Sequence, residues 1–193
     1  MHFTSFFVSA LATTAIASPI VHVKRDAASI LSSISAISAQ ITTLNNTLNT
    51  FTPGNLINTF TILKIQQQTK QIEDAITAAT NTAGNSKNLN ADDSGKIATA
   101  VLDFTPKTYS LLDNLQSKKP VFDKAILGLI SVSSMVKDSL QRQKQLSASF
   151  SSTLASKLAE PFKSLAPFIS APLADAFDMA IKTFSAPSGG LLG

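Results

Sequence analysis

The side chains that most often carry enzyme chemistry are nearly missing from this chain. It contains no Cys, and its two histidines, His2 and His22, both lie within the first 25 residues. A Ser or Cys nucleophile needs a neighbouring base, and a zinc ion needs His or Cys ligands. A mature chain that starts after residue 25 therefore has no candidate catalytic residues and no metal ligands of these types.

Carboxylates offer the remaining chemistry, and their spacing favours exposed helix faces. The pairs Glu73/Asp74 and Asp175/Asp178 could form an acid/base dyad, yet they match solvated helix faces better. Residues 90–101 resemble a calcium-binding loop, but the twelfth position is a Val where a bidentate Glu is required. We therefore predict a protein that is not an enzyme and that needs no cofactor and no metal.

The N-terminal segment predicts secretion. A short apolar stretch ends in Ala15-Ile16-Ala17, a small-x-small pattern typical of signal-peptide cleavage sites. Lys24-Arg25 then forms a dibasic pair that indicates a processing site; the alternative is two exposed basic residues in a flexible segment. We expect a secreted, extracellular protein or one associated with the cell wall.

The predicted domain organisation places a signal peptide at 1–17, a pro-segment at 18–25, a helical bundle at 26–185 and a flexible tail at 186–193. Because the chain has neither a hydrophobic tail for a lipid anchor nor an apolar run of about 18 residues, no transmembrane segment is expected. Without Lys24-Arg25 the 16 basic residues fall to 14 against 12 acidic residues, a net charge of +2. This small excess does not predict binding to nucleic acid.

The start of the predicted mature chain carries a long apolar stripe, at steps of 4 and 3 residues that place it on one face of a helix about 33 Å long. Its members are Ile30, Ile34, Ile37, Ile41, Leu44, Leu48 and Phe51. The opposite face holds neutral polar residues, since no Lys, Arg, Asp or Glu occurs between Asp26 and Lys64.

Four further stripes with helical spacing follow, over 54–81, 97–115, 122–140 with a continuation to 158, and 161–184. Pro106 predicts a kink or a break in the third helix, and Pro167 and Pro172 predict a kinked or broken last helix. The sequence therefore predicts an all-α fold, an antiparallel bundle of about five amphipathic helices whose last helix is kinked by prolines. A coiled coil is disfavoured because the first helix lacks the flanking charges that such assemblies use.

Several segments together carry a family resemblance. They are the signal followed by Lys24-Arg25-Asp26, the Ile-rich first helix, Leu111-Leu112-Asp113-Asn114-Leu115, Lys118 to Lys124, and Ala180 to Phe184. In this combination the chain resembles the fungal hydrophobic surface-binding protein A family, which overlaps the cell-wall galactomannoproteins. The resemblance covers nearly all of 26–185 and implies a helical protein that adsorbs to hydrophobic surfaces. Related galactomannoprotein domains hold fatty acids within a helical bundle.

One mechanism compatible with the stripes is an internal lipid tunnel. Its predicted apolar lining is Phe60, Leu63, Phe104, Leu111, Phe122, Leu129, Phe150, Phe162, Ile169 and Phe177. Thr108 and Ser133 interrupt apolar lines and could bind the carboxyl head group of a fatty acid. The alternative is that these are ordinary core residues, with both hydroxyls bonded to their own helix.

A second mechanism is adsorption through the charge-free face of the first helix, represented by Ser29, Ser33 and Thr43. The partners would be hydrophobic solid surfaces and, by analogy alone, secreted lipolytic esterases. A structural wall mannoprotein or surface antigen without a specific ligand would show the same periodicity.

Asn45-Asn46-Thr47 is a glycosylation sequon, so Asn45 is a predicted glycan site if its side chain faces solvent.

Overall fold

The computed structural model describes residues 20–51, 57–127 and 130–187, with the backbone alone for 20–25, 57–58, 126–127 and 130–131. In chain order its elements are α1 (Ile20–Asn49), α2 (Ile57–Asn85), α3 (Ala91–Ser117), α4 (Lys119–Lys124), β1 (Ile126–Leu127), β2 (Ile130–Ser131), α5 (Val132–Ala155) and α6 (Phe162–Ser185). The predicted signal peptide and most of the predicted tail lie outside the described residues. The last six residues of the predicted pro-segment belong to the first turns of α1.

The long helices close into a ring, in which each contacts two neighbours in the order α2, α1, α3, α6, α5 and back to α2. Helices that are consecutive in sequence alternate in direction, as the predicted antiparallel bundle requires. Side-by-side pairs formed by distant segments run parallel: Lys107 donates to Ser38 and Asn114 to Asn45, so α1 and α3 point the same way. The fold is therefore an up-and-down bundle with a central space between five long helices.

The α1 stripe forms one wall of the core, as its spacing predicts. All seven stripe residues from Ile30 to Phe51 are buried, against α2 and α3. By length and composition alone, the stretch Asp26–Asn49 is also apolar enough to cross a membrane, although core helices of soluble proteins meet the same criterion. Here the apolar face packs within the bundle.

Internal prolines do not interrupt the helices that contain them. α3 continues through Pro106, and α6 continues through Pro167 and Pro172. The predicted breaks are therefore absent from these two helices, while the kinks stay a prediction. At the start of α3 the cap is Asn90, whose side chain accepts a 2.8 Å hydrogen bond from the Asp93 amide.

The predicted fourth helix is wrong in its first half. α4 ends at Lys124, and two short antiparallel strands follow, with Ile126 paired to Ser131 and Leu127 to Ile130. The sequence favours an interruption, because Gly128 disfavours a helix and Ile126 and Ile130 favour extended backbone. The continuous helix begins only at Val132, in α5.

Candidate functional site

A cavity of about 230 Å³ lies in the centre of the ring and is lined by residues from all five long helices. Ile37 and Ile41 of α1 and Ile72 and Ile76 of α2 form one side. No charged side chain lines it. Its chemistry is therefore that of an apolar compartment suited to hydrocarbon.

The wall contributed by α3 is apolar because its residues recur at helical spacing. Phe104, Leu111 and two threonines, Thr105 and Thr108, lie on this wall. The Thr105 hydroxyl donates to the Val101 carbonyl at 2.7 Å, and the Thr108 hydroxyl donates to the Phe104 carbonyl at 3.5 Å. Both hydroxyl protons thus point to the backbone of the same helix, as the alternative interpretation of Thr108 expects.

The first half of α6 covers the cavity thinly. Between Phe162 and Pro172 no side chain is buried, and Phe168 is 76% exposed. The ring of Phe162 packs over Gly95, only 3.2 Å from where a Cβ would lie. Because Leu102 and Leu165 both line the cavity and reach the surface, the cavity opens to solvent beside them.

Small side chains separate this cavity from a second one of about 520 Å³ between α5 and α6. Ser147, Ser151 and Ala155 of α5 line both spaces. The second space has two lysines at its edge, Lys163 and Lys144, and Lys144 forms an ion pair with Asp178 at 2.6 Å. The seam between α5 and α6 is therefore a thin wall, and the space beyond it is lined by Lys163 and by Lys144, whose charge is paired with that of Asp178.

A third cavity of about 230 Å³ lies between α2 and α5. Apolar side chains make up much of its lining, but it also has four charged ones and is called the polar cavity for that reason: Lys70, Glu73, Asp138 and Arg142. Burial raises the pKa of the Glu73 carboxyl above its ordinary value, and the positive charges of Arg142 and Lys70 oppose that rise. The Arg142 Nη1 atom lies 3.7 Å from Glu73 Oε2. Gln143 separates this polar cavity from the central apolar one and lines both.

Six of the predicted lining residues come together in the central cavity: Phe104, Leu111, Phe150, Phe162, Ile169 and Phe177. Phe60 and Leu63 do not, because they lie on the surface of α2, where Phe60 is 78% exposed. Leu129 lies outside the described residues.

Phe122 also lies elsewhere, although it is fully buried. Its ring centroid is 5.0 Å from that of Phe51 and 5.8 Å from that of Phe184. These three rings form an aromatic cluster separate from the cavity lining. Ser133 is close to this end as well and donates to Asp123 Oδ1 at 2.6 Å, so it is not placed to hold a ligand in the cavity.

Sequence reasoning missed the α5 wall apart from Phe150. Three residues of this wall recur at steps of four and face the cavity: Gln143, Ser147 and Ser151. Because their side chains are polar, they do not form the apolar stripe by which a buried helix face is predicted. The one available signal was their helical phase with Leu140 and Leu154, which are both buried.

The outer face of α1 is polar, but hydroxyl groups on it donate hydrogen bonds to carbonyl groups of the same helix. The Ser33 hydroxyl donates to the Ser29 carbonyl at 3.0 Å, and the Thr43 hydroxyl donates to the Ala39 carbonyl at 2.9 Å. The predicted glycan site Asn45 is half-buried, with Nδ2 donating to the Ser110 hydroxyl at 3.2 Å. A glycan on that nitrogen would displace this contact with α3, and glycosylation stays a prediction.

No group of three or more His, Cys, Asp or Glu side chains within the described ranges is placed to hold a metal ion.

The sequence model of a family described as "Hydrophobic surface binding protein A" matches residues 27–156. "Cell wall mannoprotein 1" from Aspergillus flavus is 27% identical over 193 residues. That match covers 97% of this chain and 66% of the relative, so the chain spans just under two thirds of its length.

Solved structures with the same fold contain fatty acids. AFMP4P in complex with palmitic acid is 31% identical, with a TM-score of 0.75 and coverage of 82% of this chain and 99% of that one. Ligand binding domain 1 of Penicillium marneffei MP1 protein, complexed with arachidonic acids, is 20% identical with a TM-score of 0.75, and covers 84% and 100%. At that identity it supports the fold alone. The family and the AFMP4P complex are described by binding and not by catalysis, in agreement with the prediction that this chain is not an enzyme.

Proposed function

Since the chain belongs to the hydrophobic surface binding protein A family, we propose that it is a secreted or wall-associated protein that binds long-chain fatty acids in its central cavity and adsorbs to hydrophobic surfaces. The observation that carries the first part is the cavity itself, about 230 Å³ lined by five helices without a charged side chain. The complex of AFMP4P with palmitic acid supports the ligand class, because that protein is 31% identical to this one.

The physical basis is the burial of hydrocarbon. Transfer of one methylene from water contributes about 0.8 kcal/mol, so ten methylenes contribute roughly 8 kcal/mol before ordering costs. That gross value corresponds to a dissociation constant on the order of 1 μM. An apolar chain thus gains affinity without any charged partner in the cavity.

Movement of the first half of α6 would widen the opening beside Leu165 and ease entry of the ligand. Pro167 and Pro172 lack backbone N–H groups, which removes two intrahelical hydrogen bonds from this region. No side chain between Phe162 and Pro172 is buried, so few packing contacts hold it in place. Segments of this kind open at low free-energy cost compared with the core.

Native mass spectrometry of delipidated protein tests fatty-acid binding. We expect addition of palmitic acid to produce a peak heavier by one palmitate per chain, because the chain has one central cavity of suitable character among the described residues. Absence of any adduct at ligand concentrations well above 1 μM would reject the carrier proposal. It would leave the structural wall protein without a specific ligand as the better description.

A specific observation supports adsorption through α1. Ser33 and Thr43 already donate to carbonyls of their own helix, so their hydroxyl protons stay bonded when water is removed. No ionised group accompanies them between Asp26 and Lys64 in the sequence. Desolvation of this face beside a waxy surface therefore costs less than desolvation of a charged face.

Lysine substitutions on α1 test that face. The triple variant Ser29→Lys, Ser33→Lys, Thr43→Lys should lose most of its retention on hydrophobic beads at low ionic strength. A control variant with the same added charge on exposed positions of α2, Gln67→Lys, Thr77→Lys, Asn81→Lys, should stay bound. Equal retention of both variants would exclude α1 as the adsorbing face.

Recruitment of secreted lipolytic esterases to the coated surface is a further part of the proposal and rests on analogy. Co-sedimentation of such an esterase with protein-coated beads, but not with bare beads, is the corresponding measurement.

A further inference from the structure

Gln143 is a buried polar side chain between two cavities. It is 5% exposed, and it lines both the central apolar cavity and the polar cavity between α2 and α5. Within the part of the chain that the structure describes, its amide has no hydrogen-bond partner. The nitrogen and oxygen atoms of this amide also keep some accessible surface, and the side chain lines the two cavities, so the amide faces cavity space.

The other deeply buried polar side chains of the central cavity are already bonded. Thr105 and Thr108 donate to carbonyls of α3, as described above. The remaining serines of the cavity wall are only partly buried. Gln143 is therefore the one polar side chain in this wall that is nine-tenths buried and has unused donors and an unused acceptor.

An unpaired amide in an apolar site is costly unless a ligand completes its hydrogen bonds. A carboxyl group matches it, since one oxygen can accept from the amide N–H while the amide carbonyl accepts from a carboxyl O–H. Hydrocarbon would leave the amide unpaired.

We propose that Gln143 is the polar anchor of the cavity and holds the carboxyl group of a bound fatty acid. This inference rests on the proposed function, and it adds the orientation of the ligand and a preference for acids over hydrocarbons. The carboxyl group lies at the boundary with the polar α2/α5 cavity, and the acyl chain extends through the apolar space toward Phe162.

The length of the bundle accommodates this orientation. Because α5 and α6 run antiparallel, the Lys144–Asp178 ion pair places Gln143 level with Met179 of α6. α3 and α6 run parallel, and the bond from Thr183 to Gln116 places that level beside Leu112 of α3, one residue from Leu111. From Leu111 to Gly95, beneath Phe162, α3 rises about 24 Å at 1.5 Å per residue. An extended sixteen-carbon acid fits within that distance.

The test compares two buried glutamines. In Gln143→Leu the apparent affinity for palmitic acid should fall about tenfold, the effect of one to two lost hydrogen bonds, while uptake of n-hexadecane is unchanged or stronger. The melting temperature of the ligand-free variant should rise by a few degrees because an unpaired amide is removed. Gln143→Met, which keeps the length of the side chain, is a second variant with the same expected binding result.

Gln68→Leu is the matched control. Gln68 is also 5% exposed, and its Oε1 atom has no partner, but it lines none of the three cavities described above. Its replacement should raise the melting temperature and leave palmitic acid affinity unchanged.

Unchanged palmitic acid affinity in Gln143→Leu and Gln143→Met would overturn the anchor, as would a parallel loss of palmitic acid and hexadecane binding. If the wild-type protein binds both ligands equally well, the carrier proposal stands and the anchor fails. If it binds neither ligand, both proposals fail.

Discussion

Replacement of Ala98 by tryptophan is expected to reduce palmitic acid affinity by on the order of 100-fold. Ala98 lies on α3, lines the central cavity and is only half-buried, so the indole ring can enter space that the structure leaves open. Displacement of three to four methylenes at about 0.8 kcal/mol each gives a loss of roughly 3 kcal/mol. Isothermal titration with palmitic acid measures this change.

The control for Ala98→Trp is the same substitution at Ala39, an exposed residue of α1 that lines none of the cavities described above. Ala39→Trp should bind palmitic acid with wild-type affinity. The melting temperature of ligand-free Ala98→Trp should stay within a few degrees of wild type, which separates blocked binding from unfolding. Wild-type affinity in Ala98→Trp would show that fatty acids bind elsewhere.

Replacement of Phe122 by alanine is expected to lower the free energy of unfolding by about 3–5 kcal/mol. Phe122 is fully buried, and its ring lies between those of Phe51 and Phe184 at 5.0 Å and 5.8 Å. The cluster ties the end of α1 to α4 and α6, so its loss creates a cavity where three segments meet. Urea denaturation measures the change, and binding of palmitic acid to the folded fraction should persist.

Phe60→Ala is the matched control, because sequence patterning assigned Phe60 and Phe122 the same role. Phe60 is 78% exposed, so its removal should change the free energy of unfolding by less than about 0.5 kcal/mol. Similar losses in the two variants would mean that α2 packs differently from the arrangement described above.

Local periodicity is sufficient to predict which face of most helices is buried. The seven stripe residues from Ile30 to Phe51 recur at steps that place them on one face of α1, and all seven are buried in the structure. The same reasoning fails for Phe60 and Leu63, which lie beside the apolar stripe of α2. Spacing alone does not tell which apolar residues next to a stripe are buried and which are exposed to solvent. It also fails after Lys124, where the helix ends and extended backbone follows although the apolar spacing continues.

The cavity depends on contacts that no local pattern contains. It exists because α2 packs on α5 and α3 packs on α6, which closes the ring. Six predicted aromatic and aliphatic residues meet there because each is on the inner face of its own helix. Gln143 was missed because a glutamine within an amphipathic helix is ordinarily an exposed residue, and only its helical phase with Leu140 and Leu154 indicates the inner face.

A crystal structure of the wild-type protein grown with palmitic acid tests most directly whether the bundle holds a fatty acid. We expect the acyl chain in the central cavity, in contact with Leu111, Phe150 and Phe177 and surrounded by the five long helices. Palmitic acid bound only on the outside of the bundle, with these side chains closed over an empty cavity, would contradict binding inside it.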